Sequence, residues 1–304
     1  MRSTLAQLKN IAIVLKPKVH NEFQIILPNL VNWLIRRKKQ VFFLEHELDR
    51  VTDLLKNATK DVEFISLDEM HSDSDLIITL GGDGTLIGVC RQIKKTSPPI
   101  FGVNMGTLGF ITEFSKSEFF DELEATIKGD FETTSLNLQQ VEVFNKGKQT
   151  FKGYFLNDVV VTNNHISRML TLTVEANEEH VYNLAGDGLI ISSPIGSTAY
   201  SLAAGGPIIH PQVNALVMTP ICAHSLTHRP LVLPDNIEMV IKAARPGESI
   251  RITLDGQQAI TISATDSLKV SKAKNKTIKL IKNPNRTFFR TLKDKFTHGA
   301  REIK

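Results

Sequence analysis

The sequence has too little cysteine to be held together by disulfides. Cys90 and Cys222 are its only two, which excludes a disulfide framework, and they lack the spacing of a metal-ligand set. Both stand among apolar neighbours and read as small core residues. Long hydrophobic runs are also missing, since no stretch approaches the ~18 apolar residues needed to cross a bilayer. The apolar run Ile11 to Leu15 is too short for the core of a secretion signal. The expectation is a cytoplasmic protein with no membrane partner. Charge of one sign is scarce as well: a formal net charge of +4 does not point to nucleic acid as a partner. The basic excess is local, with eleven Lys and Arg from Ser271 onward against Asp294 and Glu302. That tail reads as a solvated basic face, or as a source of positive potential near an anionic substrate.

Several catalytic signatures are absent. There is no Gly-x4-Gly-Lys-Ser/Thr loop, no Gly-x-Gly-x-x-Gly after a strand, and no Gly-x-Ser-x-Gly elbow. What remains is a chain of 304 residues, 41% hydrophobic and 22% charged, ordinary for a soluble protein and long enough for two domains.

The first half alternates strand and helix signals. Ile11 to Leu15, Val41 to Leu44, Val62 to Ile65, Leu76 to Leu80 and Ile100 to Val103 are short apolar strands. Between them, Phe23, Ile26, Leu27, Leu30, Trp33 and Leu34 recur at helical spacing, with further helical stretches at Val51 to Leu55 and Leu86 to Ile93. Another helix is expected from about Ser117 to Ile127. Such alternation predicts a parallel sheet covered by helices, with ligand loops at the carboxyl ends of strands. Past residue 135 the signal becomes many short alternating strands separated by turn residues, as in Leu170 to Val174 followed by Asn177-Glu178. That pattern predicts a layered all-β domain. The expected division is 1–135 as an α/β domain and 136–283 as a β-rich domain. A last helix, Phe288 to Phe296, would let 284–304 rejoin the first domain.

Thr79-Leu80-Gly81-Gly82-Asp83-Gly84-Thr85 is the densest signal in the α/β half. Strand, glycine turn and helix together present backbone N–H groups and a positive helix end to an anion. Glycines let the backbone come close to a phosphate. A carboxylate repels phosphate, so Asp83 accepts a proton from an attacking hydroxyl, holds a divalent cation, or is a plain turn acid. A second glycine loop, Asn104 to Phe110, lies at the same sheet edge. In the β half, Gly186-Asp187-Gly188 leads into Ser192-Ser193-Pro194-Ile195-Gly196-Ser197-Thr198-Ala199-Tyr200-Ser201-Leu202-Ala203-Ala204-Gly205-Gly206-Pro207. Its hydroxyls and free N–H groups suit ribose or phosphate oxygens, and Tyr200 offers a flat face to a ring. A capped helix start is the competing reading.

Gly81-Gly82-Asp83-Gly84-Thr85, then Asn157-Asp158, then Asp187-Gly188-Leu189 through Gly206-Pro207 resemble the NAD kinase family in content and order, over about residues 11 to 282. The resemblance implies an α/β domain followed by a β domain, the active site between them, and a homodimer or homotetramer. It implies transfer of the ATP γ-phosphoryl to the 2′-hydroxyl of the NAD adenosine ribose, with a divalent cation, Mg²⁺, as cofactor. By position, Asp83 is the proton acceptor, and Gly81, Gly82, Gly84 and Thr85 form the ATP phosphate loop. Asn157 and Asp158 hold the adenosine part; the family commonly has Asn-Glu here. Asp187 binds the nicotinamide amide. Thr198, Ala199, Tyr200, Ser201 and Ala203 line the adenine and ribose pocket. Arg168 and Gln257 fall where further substrate contacts stand, and Phe110 walls the site.

Many bacterial members carry Arg where this chain has Ala185, so the choice between NAD and NADH stays open. Asp187 and Asp255, each beside glycine, also read as turn acids, and His224, His228 and Arg229 read as structural or rim residues. Two rival functions share the glycine loop. A lipid kinase needs an apolar channel or a membrane-facing helix, and no strong one is visible. A non-catalytic nucleotide sensor has no use for an acid beside phosphates.

Overall fold

The structure, a computed structural model, describes residues 8–17, 21–93, 97–106, 109–164, 169–225 and 227–297. The chain divides into two compact units, one of residues 1–136 with 276–304 and the other of 137–275.

The first unit runs β1 (Asn10–Leu15), α1 (Phe23–Arg36), β2 (Gln40–Leu44), α2 (Leu48–Leu55), β3 (Glu63–Ile65), α3 (Leu67–Asp73), β4 (Leu76–Gly81), α4 (Asp83–Arg91), β5 (Pro99–Asn104), β6 (Phe114–Ser115) and α5 (Phe119–Ile127). Its strands pair in parallel in the order β3-β2-β1-β4-β5. All six residues of β4 are buried, which is why this strand is apolar on both faces apart from Thr79. The chain steps outward from β1 to β3 and then returns to lay β4 on the other side of β1. Strand order therefore reverses between β1 and β4, and the carboxyl ends of strands at such a reversal are where open α/β sheets take ligands. Gly81-Gly82-Asp83 leaves the sheet at that end of β4. Helix α1 carries Phe23, Leu27, Leu30, Val31 and Leu34 into the core, and Pro28 falls inside its first two turns.

The second unit is built from β7 (Thr133–Asn145), β8 (Lys148–Phe155), β9 (Asp158–Asn163), β10 (Leu170–Ala176), β11 (Glu179–Gly186), β12 (Gly188–Ser192), α6 (Tyr200–Ala203), β13 (Ala215–Ile221), β14 (Leu231–Pro234), β15 (Met239–Ala243), β16 (Ser249–Leu254), β17 (Gln258–Ser263) and β18 (Asp266–Ile281). Six antiparallel strands form one sheet in the order β14-β13-β12-β9-β16-β17. A second antiparallel run pairs β11, β10, β15 and the start of β18. Val161, Ile191, Met218 and Ile252 of the first sheet pack in one core with Leu172, Leu184, Ile241 and Val270 of the second, so the unit is a β-sandwich. Asn177 and Glu178 both take positive φ at the β10–β11 turn, as the turn signal there requires.

The return to the first unit begins at Lys276, inside β18, earlier than the position 284 expected from sequence. There β18 pairs in parallel with β5 through Lys279 and Leu280. The following segment is tied down at Glu113: the Asn283 backbone N–H donates to its carboxylate at 2.6 Å, and the Asn283 amide donates to its carbonyl at 3.1 Å. Burial raises the Glu113 carboxyl above its usual range. Helix α7 (Phe288–Thr297) then sets Phe288 against Phe110, with ring centroids 6.4 Å apart, and Lys295 over the Phe110 ring.

Three features were not expected. Helix α3 is set by a capping box, in which the Ser66 hydroxyl accepts from the Glu69 N–H while the Glu69 carboxylate accepts from the Ser66 N–H. The stretch from Phe151 to Thr162 falls in two strands, β8 and β9, broken by a turn at Leu156-Asn157. Cys222 is not a core residue: Cys90 is buried, but Cys222 is exposed and has a φ of 45°. Replacing Ser66 by Ala removes the box, and we expect a loss of about 1 kcal/mol in urea unfolding with the m-value unchanged.

Candidate functional site

The glycine loop is built by contrast. A side chain on Gly81 would collide with Thr85, whereas one on Gly82 would meet nothing within 4 Å. Gly82 is also extended, with φ −124° and ψ −169°, a conformation any residue adopts. Neither packing nor backbone geometry demands glycine there, so the open face of Gly82 suits a ligand that must come close to the main chain. Helix α4 starts at Asp83 with no side-chain cap on its N-terminus, and the positive end of a helix favours an anion. Gly84 is exposed and Thr85 half-buried on the first turn.

Asp83 faces the second glycine loop. Its Oδ2 accepts from the Phe110 N–H at 2.8 Å. Its Oδ1 accepts from the Ile111 N–H at 3.3 Å, the Thr112 N–H at 3.0 Å and the Thr112 hydroxyl at 2.7 Å. A side chain at Gly109 would collide with this carboxylate, so the segment comes as near as its atoms allow. Thr112 is fully buried and also takes a hydrogen bond from the Asn104 amide at 2.7 Å. Asp83 is thus a fixed carboxylate, with three bonds on Oδ1 and one on Oδ2 among the described residues.

In the second unit, Asn157 and Asp158 sit where β8 turns into β9. Asp158 is 4% exposed, and burial first, then the charge of Asp255, pushes its carboxyl up to about 7. The Asn157 side-chain oxygen is buried with no partner among the described residues, a standing demand for a donor. The loop after β12 is laid directly on this turn. The Ser193 N–H donates to the Asn157 carbonyl at 2.8 Å and the Ser193 hydroxyl to the Leu156 carbonyl. A side chain at Gly196 would collide with the Asn157 carbonyl. A 3₁₀ turn, Gly196–Thr198, then leads to α6. Ala199, Tyr200 and Ala203 are exposed and Thr198 is half-buried. Ser201 is fully buried and shares its hydroxyl with Thr219 at 2.9 Å, so it braces α6 against β13.

Asp187 is exposed beside Cys222, whose thiol hydrogen-bonds its carboxylate and is raised as a result. Half-buried Ala185 gives its carbonyl to the His224 N–H. His228 stacks on Tyr182 with centroids 4.7 Å apart. Gln257 is exposed in the turn after β16. Arg168 lies outside the described residues. The structure therefore gathers Asp83 with Phe110 in the first unit, and Asn157, Asp158 and the 193–203 loop in the second. Gly109, Thr112, Ser193, Thr219 and Asp255 hold these groups in place and were not singled out as site residues from sequence. Short glycines and hydroxyls mark them only once their neighbours are known.

A glycine–aspartate loop at a strand reversal, together with a hydroxyl-rich loop on a β-sandwich, defines a nucleotide-handling protein of two parts. The model of the ATP-NAD kinase N-terminal domain matches residues 11–131, and that of the C-terminal domain matches 156–283. The NAD kinase of Geotalea daltonii is 36% identical over 97% of this chain and 100% of its own length. That of Solibacter usitatus is 37% identical over 97% and 99%. Among solved structures, yeast NADH kinase complexed with NADH aligns with a TM-score of 0.87 at 24% identity, covering 98% of this chain and 91% of that one. An NAD kinase from Archaeoglobus fulgidus in complex with ATP aligns at 0.70 and 23%, covering 95% and 98%. The chain belongs to the ATP-NAD kinase family.

The raised Asp158 carboxyl makes stability depend on pH. Its folded value of about 7 exceeds the ordinary 3.8, so between these the folded state holds a proton that the unfolded state has lost. Stability from this group falls as pH rises through that window, by on the order of 4 kcal/mol when complete. Comparing wild type with Asp158→Asn by urea unfolding at pH 5 and pH 8 should show the variant gaining on wild type at the higher pH. An equal difference at both would contradict the assignment.

Proposed function

We propose that the protein transfers the γ-phosphoryl of ATP to the 2′-hydroxyl of the adenosine ribose of NAD, giving NADP. The observation that carries this reading is the fixed Asp83 carboxylate at the mouth of an open glycine loop, in a chain of the ATP-NAD kinase family. In this reading the first unit takes ATP and the second takes NAD. The triphosphate lies against the bare face of Gly82 and the uncapped start of α4, where backbone N–H groups and the helix end oppose its charge. Phosphoryl transfer needs positioning and charge neutralisation more than covalent help. Among the described residues no three His, Cys, Asp or Glu side chains gather to cage a metal ion. A magnesium ion brought with the substrate phosphates would neutralise charge on the transferring group.

Asp83 orients the ribose hydroxyl and takes its proton. Oδ1 is occupied by the 111–112 backbone and the Thr112 hydroxyl, while Oδ2 takes one described bond, from Phe110. A carboxylate oxygen has two lone pairs, so Oδ2 retains one for the attacking hydroxyl. In the second unit the orphaned Asn157 oxygen accepts from a donor on the adenosine part, and Asp158 in its neutral form donates to an acceptor there. Tyr200 supplies a flat exposed ring. Asp187, Gln257, Arg168 and the Ala185 position complete the dinucleotide contacts. The reading includes a cytoplasmic homodimer or homotetramer; no helix among the described residues is long and apolar enough to cross a membrane.

The test is ATP- and Mg²⁺-dependent NADP formation by purified protein, with NAD and NADH compared. Asp83→Asn should lose at least about 100-fold in turnover measured at saturating NAD, where any change in NAD affinity no longer contributes. No NADP from the wild type, or near-normal turnover in the variant, would overturn the proposal.

A further inference from the structure

The Asn157–Asp158 turn is held by a residue in another part of the unit. Asp255, in the turn after β16, directs its carboxylate at three successive backbone N–H groups. Oδ2 accepts from Leu156 at 3.0 Å, and Oδ1 from Asn157 at 2.7 Å and Asp158 at 3.1 Å. The arrangement is reciprocal, since the Asp255 N–H donates to the Asp158 carbonyl at 2.9 Å. Asp255 reaches this position with a φ of 50° and Gly256 follows with 65°. A non-glycine residue in the left-handed region is strained unless its surroundings secure it. Here the four hydrogen bonds to the facing strand secure it.

The opposite side of the same turn is pinned by the Ser193 N–H and hydroxyl and by the close approach of Gly196. The turn therefore cannot rotate its peptide planes without breaking bonds on both sides. Charge-assisted bonds of this kind are the stronger class. Three parallel N–H groups also need an anion to converge on. Asparagine has one acceptor oxygen in place of two, and its amide would face an N–H group, donor to donor.

We propose that Asp255 is a positioning residue for dinucleotide binding, holding the Asn157 amide and the Asp158 carboxyl at the angle at which they receive the adenosine part. This rests on the reading of the second unit as the NAD-binding part. Asp255 itself touches no substrate in this account. It acts through the backbone, and also through charge. The elements packed against Asp158 present Ser192 and Ser193 from β12 and its following loop, and Asp255 from the turn after β16. Of these Asp255 is the charged group, and its charge helps to raise the Asp158 carboxyl. Two signatures follow from one residue: the geometry of the turn and the pH at which Asp158 ionises.

The experiment is equilibrium binding of NAD and, separately, of ATP to the full chain across pH 5 to 9, for wild type, Asp255→Asn and Asp255→Glu. For Asp255→Asn we expect NAD affinity to fall about tenfold or more, as for a buried polar group left badly paired. ATP affinity should stay within about twofold of wild type. The pH at which NAD affinity changes should move down, because the neighbouring negative charge is gone. Asp255→Glu keeps the charge but displaces it by a methylene. It should weaken NAD binding and leave that pH in place, and it serves as the readout should the Asn variant not fold. NAD affinity unchanged in both variants would overturn the proposal. So would a parallel loss of NAD and ATP binding with a lowered Tm, the mark of a general structural role. Wild-type protein that binds NAD without phosphorylating it would contradict the kinase reading and leave the clamp standing. Wild-type protein that does not bind NAD overturns both.

Discussion

The capture of three successive backbone N–H groups by one carboxylate occurs twice among the described residues, and both candidate loops depend on it. Asp83 holds Phe110, Ile111 and Thr112 in the first unit. Asp255 holds Leu156, Asn157 and Asp158 in the second. A loop that leaves a sheet has donors that the ladder no longer satisfies, and burying them unpaired costs about 1–3 kcal/mol each. A single anion that collects all three removes that cost and fixes the orientation of the peptide planes at once. Neither loop needs a long side chain or a disulfide to keep its shape.

The same economy explains the glycines. Gly109 lets the 110–112 segment close on Asp83, and Gly196 lets the hydroxyl-rich loop close on Asn157. In both cases a methyl group would occupy space already filled by the group being held. Gly82 is different: its surroundings are empty and its backbone unstrained. Two glycines serve the protein's own packing, and the third is free to serve a ligand.

Much of the fold was legible because buried parallel strands and half-buried antiparallel ones leave different traces. Strand β4 is buried throughout, while β10 alternates buried and half-buried residues along its length. The strand reversal beside β1 was not legible, since pairing order depends on long-range contacts that no local pattern encodes. The Leu156–Asn157 break is marked in the sequence only by the polar pair Asn157-Asp158, with apolar residues on both sides of it. Cys222 looked apolar by its sequence neighbours, yet it lies just past the end of β13, where the chain turns outward beside Asp187. At the site, Asp83, Asn157 and Asp158 stood out through their motifs. Asp255 and Thr112 did not, because a holding role is defined by what a residue grips across 29 to 99 positions of chain. Ser201 stood out, but its buried hydroxyl is already shared with Thr219.

The placement of Asp83 against the ribose can be seen in a crystal structure of the protein with NAD and a non-hydrolysable ATP analogue. The ribose 2′-oxygen should lie within roughly 2.6–3.2 Å of Asp83 Oδ2, with the bonds from residues 110–112 to that carboxylate still in place. A structure with Asp83 turned away and the dinucleotide bound elsewhere would contradict it.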